Sequence, residues 1–110
     1  MIEERDFHRR ADDALEALRR RLVDLADQHD FDVEGGSEKL EVLFEDPEET
    51  RFVISPNSAA RQLWISALAT SFKLGWSDAA GAFALEQTGE TLPQVMSRIL
   101  TQQLGAPVEV

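Results

Sequence analysis

Cysteine is absent from the 110 residues. That excludes disulfides, cysteine-bound zinc, a thiol nucleophile and a cysteine-held iron–sulfur cluster. Any metal has to be held by oxygen, or by His8 and His29. Basic residues are scarce, 11 against 21 acidic ones, and the formal net charge of −10 repels phosphate backbones and anionic lipids. Nucleic acid and membrane surfaces are therefore not the expected partners. No apolar run approaches the roughly 20 residues of a membrane span. The segment Met1-Ile2-Glu3-Glu4-Arg5-Asp6 lacks the apolar stretch of a signal peptide, so a cytoplasmic location is expected. Gly35-Gly36 sits between strands with no helix after it, unlike a phosphate-binding loop. Ser55, Ser58, Ser66, Ser71 and Ser77 have no histidine near them in sequence, and no catalytic constellation emerges.

What the chain does contain is an ordered pattern of one domain, 1–110. From Glu3 to about Gln28, Phe7, Ala11, Ala14, Leu15, Leu18, Leu22 and Leu25 recur at three- and four-residue steps. This is an amphipathic helix. Asp30 to Glu34 alternates acid with apolar before the Gly35-Gly36 turn, and Leu40 to Glu45 alternates again. After an Asp46-Pro47 turn, Arg51 to Ile54 forms a third strand, followed by Gln62–Ser66, Phe72–Trp76 and a short one near Ala82–Glu86. Thr91 and Gln94 form a capping box for a last helix, whose stripe runs from Leu92 through Val95, Met96, Ile99 and Leu100 to Leu104, where Gly105 and Pro107 stop it. The predicted fold class is α+β: two helices on one face of a mostly antiparallel sheet of five to six strands, the other face wet.

Two features point to function. Alternation sends Leu63 and Ile65 inward, which sends Gln62, Trp64 and Ser66 to the open sheet face, with Lys73 beside them. An exposed tryptophan with a polar rim is how protein interfaces are anchored; a covering loop or tail is the plainer alternative. The second feature is acidic: from Asp24 to Glu49 eleven acids occur with Lys39 as the sole basic residue. Asp24, Asp27, Asp30, Asp32 and Glu34 cluster at the helix end and first strand, and Glu4 and His8 stand four apart at the helix start. Carboxylates suit hard cations in loose geometry, so any metal binding here is expected to be weak and unselective. A merely solvated acidic surface has the same composition.

Asp6-Phe7-His8-Arg9, Gln62-Leu63-Trp64-Ile65, Thr88-Gly89-Glu90-Thr91-Leu92 and Thr101-Gln102-Gln103-Leu104-Gly105 occur in the order and spacing of the bacterial, CyaY-type frataxins. The resemblance runs from about Asp6 to Gly105. It implies the frataxin-like two-layer sandwich, a non-catalytic role, and an acidic ridge of helix and first strand that binds iron weakly, as Fe2+ or Fe3+, and meets a basic surface of the cysteine desulfurase. Within that ridge it matches Asp24, Asp30, Asp32 and Glu34, with Glu4 and His8 at the helix start. It also implies that Trp64 touches the iron–sulfur cluster scaffold protein, and that the chain is a monomer, with oligomers forming under iron. Gln62, Ser66, Lys73 and Asn57 are the expected partner-binding neighbours of Trp64. Two departures stand out. Arg19-Arg20 occupy the middle of the first helix where these relatives carry a glutamate pair, and the turn before the tryptophan strand reads Ser55-Pro56-Asn57-Ser58-Ala59. The first thins the ridge, along with any ferroxidase chemistry attributed to the family. The alternative reading is an acidic, inhibitor-like protein-interaction module without a metal role.

Overall fold

The structure is a computed structural model that describes residues 2–46 and 48–110. The expected Asp46-Pro47 turn therefore lies partly outside the described residues. A first helix, α1 (Glu4–Ala26), is followed by six strands, β1 (Asp32–Gly35), β2 (Leu40–Phe44), β3 (Thr50–Asn57), β4 (Gln62–Ala67), β5 (Thr70–Ser77) and β6 (Ala82–Leu85), and then by α2 (Leu92–Leu104). The strands pair in chain order, every neighbouring pair antiparallel, in one sheet. This is the predicted α+β architecture.

Both helices form for local reasons. In α1, Phe7, Ala11, Leu15, Leu18, Leu22 and Leu25 make a buried stripe, and Glu4 and Asp6 meet the positive end of the helix dipole. In α2, Leu92, Val95, Met96, Ile99 and Leu100 are buried, the Thr91 N–H donates to Gln94 Oε1 at 2.9 Å, and Gly105 closes the helix with φ 69°. Between helices and sheet lies one core, with Phe7, Phe44, Phe52 and Phe83 among its largest side chains. Phe7 and Phe83 meet edge-on at 5.9 Å, tying α1 to β6. No polar or charged residue among those described is buried.

Strands β3 and β5 are longer than alternation predicts, each spanning eight residues. Pro56 lies beyond the last pair with β2, where a missing donor is tolerated. Phe72, Leu74 and Trp76 face the helices as expected, although only Leu74 is fully buried; the other two pack at the core's margin. The turns after β3 and β5 share one geometry. Asn57 Oδ1 accepts from the Ala60 N–H at 2.9 Å and Ser77 Oγ from the Ala80 N–H at 3.1 Å, and Arg61 (φ 53°) and Gly81 (φ 64°) end the two turns left-handed.

Candidate functional site

On the face of the sheet away from the helices, register places Ser55, Trp64 and Lys73 side by side across β3, β4 and β5. One row over, Asn57 pairs with Gln62 and Gln62 with Gly75; on the other side Ser66 lies between Val53 and Ser71. All five expected partner-binding residues, Trp64, Gln62, Ser66, Lys73 and Asn57, thus form one patch. Trp64 is 36% exposed although Leu63 and Ile65 on either side are buried. Its ring is held from two directions: its indole N–H donates to Gln62 Oε1 at 3.0 Å, and the Lys73 ammonium stands 4.8 Å from the ring centroid. Asn57 plays a different part, since its side-chain oxygen is spent on the Ala60 N–H.

Sequence reasoning missed the hollow beside this ring. Gly75 pairs with Ala84, and a space of about 520 Å³ opens there, lined by Gln62, Lys73, Gly75, Ala84 and Glu86. A Cβ on Gly75 would meet nothing within 4 Å. Two small residues opposite one another next to an exposed ring were the available signal, but it depended on the β5–β6 register.

The seven candidate metal residues do not form one site. Glu4 and His8 approach to 3.8 Å at the start of α1, whereas Asp24 lies twenty residues on, about 30 Å along the helix axis at 1.5 Å per residue. Asp24, Asp27 and Asp30 cluster where α1 ends and the chain turns to β1, and all three are exposed. Asp32 and Glu34 lie on the open sheet face, because Val33 between them packs on the core. They therefore share that face with Trp64, three strands away or about 14 Å. Among the described residues no three His, Asp or Glu side chains converge as a metal site. The last turn of α1 holds no basic residue, so its acids stand at the negative end of the dipole without compensation.

The arginines of mid-α1 are tied down. Glu16 accepts from Arg19 Nη2 at 2.7 Å and from Arg20 Nε at 3.0 Å. The hydrogen bond from Arg19, aided by Arg20, holds the Glu16 carboxyl down at about 2. Beside α2, Arg98 grips Glu90 through two hydrogen bonds of 2.9 Å and lowers its pKa in the same way.

Comparison with known proteins agrees with the fold. A frataxin-like domain family matches residues 1–106. The iron–sulfur cluster assembly protein CyaY of Azotobacter vinelandii is 27% identical over 98% of this chain and 94% of its own length. The protein of the same name from Pseudomonas aeruginosa is 28% identical over 98% and 96%. Among solved structures, a frataxin from Psychromonas ingrahamii superposes with a TM-score of 0.81 at 17% identity, covering 98% of this chain and 97% of that one. The four resembling segments, the six-stranded meander between two helices and the near full-length match lead to one conclusion: the chain belongs to the frataxin-like family.

Proposed function

We propose that this chain serves iron–sulfur cluster assembly in the cytoplasm by binding rather than by catalysis. It docks on the cluster scaffold protein through the Trp64 face and on the basic surface of a cysteine desulfurase through the acids around the end of α1. The observation that carries this reading is the exposed ring of Trp64, held by Gln62 and Lys73, which also line a hollow on the same face. A ring already fixed by Gln62 and Lys73 loses little freedom on binding, and the hollow accepts a partner side chain next to it. The names of the relatives supply the context.

Iron enters as cargo. Carboxylate oxygen suits it chemically, and acids crowded at the negative end of α1 gain when a cation arrives. The donors do not converge into a chelate among the described residues, so iron is met by single, hydrated carboxylates near Asp24, Asp27 and Asp30. The same lack of convergence favours a second reading, in which the acids act only on a basic protein surface and need no metal. Titration with ferrous iron under anaerobic conditions separates the two, since only the first gives saturable shifts of amides from Asp24 to Glu34.

Equilibrium titration with the scaffold protein tests the docking. Trp64→Ala should weaken binding by about 2 kcal/mol, or roughly 30-fold. Asp24→Lys with Asp30→Lys should leave the scaffold bound and weaken the desulfurase, most at low ionic strength. Wild-type scaffold affinity in Trp64→Ala would overturn the reading.

A further inference from the structure

Behind the sheet, on the helix side, α1 and α2 do not close against each other. Ala14, Ala17 and Leu18 of α1 face Phe83 of β6 and Leu92 and Pro93 at the start of α2 across a groove of about 380 Å³. At a water's share of liquid volume, about 30 Å³, it has room for roughly a dozen non-hydrogen atoms, within the size range of small-molecule sites. Its walls are almost entirely carbon. The exceptions are Arg10, Asp13 and Arg21, all on α1.

The arginines are the informative part. This is a protein of net charge −10, in which Arg9, Arg19, Arg20, Arg51 and Arg98 all pair with carboxylates. Arg5, Arg10 and Arg21 make no ion pair among the described residues, and of these Arg10 and Arg21 line the groove, together with Asp13. Arg10 lies with its guanidinium 4.2 Å from the Trp76 ring centroid, and Arg21 gives one hydrogen bond of 2.8 Å to the Glu109 carbonyl. Stacking leaves the edge N–H groups of Arg10 available, and Arg21 retains donors beyond the one it uses. Eleven residues of helix set the two about 16 Å apart along the axis, at 1.5 Å per residue, so an apolar cleft runs between two cations that keep hydrogen-bond donors free, with Asp13 between them as the one acidic side chain of its lining.

We propose that this groove is a binding site for a small amphipathic anion: an apolar body of about a dozen non-hydrogen atoms, lying against Ala14, Ala17 and Leu92, with one acidic group taken by Arg21 or Arg10. Charge complementarity selects the anion and carbon walls select the body; a simple inorganic anion would leave the apolar surface wet. The site lies on the opposite face of the sheet from Trp64, so its occupation is independent of the docking proposed above.

The probe is naphthalene-2-sulfonate, titrated into the full chain, with uncharged 2-methylnaphthalene as its counterpart of similar shape. The sulfonate should saturate a single site and shift the amides of Ala14, Ala17, Gly81 and Ala82. Arg10→Gln with Arg21→Gln should weaken the sulfonate at least tenfold and leave the uncharged compound unchanged. Ala17→Phe, which fills the groove, should remove both. Unchanged sulfonate affinity in the double glutamine variant, or shifts centred on the Trp64 face, would overturn the site.

Discussion

Leu68 and Ala69 connect β4 to β5 with left-handed backbones, φ 54° and 58°. A two-residue hairpin of this hand favours Asn-Gly, because a Cβ in that region crowds the following carbonyl. Leu68 repays the strain by packing on the core's margin, whereas the side chain of Ala69 is exposed. Ala69→Gly should therefore raise stability by about 0.5 kcal/mol or more; a urea titration reads it, and a lower midpoint would show that the turn is unstrained. Glu16 offers a second residue-level test. Its folded pKa of about 2 lies below the ordinary 4.5, so its pairing stabilises the fold above the unfolded value and that contribution is lost as pH falls from about 4.5 toward 2. Carbon-13 titration of its carboxyl should show the low midpoint, and Arg19→Ala should raise it. Trp64 was legible from alternation alone, since both neighbours are apolar. The stacking of Arg10 on Trp76 was not, because it joins α1 to β5 across 66 positions in sequence.

Elements whose polarity alternates cleanly declared themselves: α1, α2, β2 and β4 were readable to within a residue or two at nearly every end. Thr50, Ser55, Thr70, Ser71 and Ser77 carry no hydrophobic signal, so the ends of β3 and β5 were hidden although the backbone continues in the ladder. At the β1–β2 turn, Gly35 holds φ 94°, and a Cβ there would run into the Lys39 carbonyl oxygen, while the Gly36 N–H bonds that same oxygen at 3.0 Å. Gly35→Ala should cost about 2 kcal/mol or more and loosen β1 from β2. Hydrogen exchange should show lost protection at Val33 and Val42 before the rest of the sheet; uniform protection would mean that the turn rearranges at no cost.

Across the whole molecule, the acids fall in separate places. The acids at the end of α1 stand apart from Glu4 and His8, which lie at its other end, while Asp32 and Glu34 lie on the same sheet face as Trp64. The resemblance implies one acidic ridge of helix and first strand; at the junction of α1 and β1, Asp30 and Asp32 line one hollow with His29 and Glu45. A partner on the open face can therefore reach from Trp64 to the β1 acids, while Asp24, Asp27 and Asp30 stand around the end of α1. The most direct measurement of this account is an amide map of the chain on adding the purified scaffold protein. Shifts should fall on Ser55, Gln62, Trp64, Ser66, Lys73 and Ala84 and spare the outer surfaces of α1 and α2. Shifts confined to the helices, with the β4 and β5 amides unmoved, would contradict it.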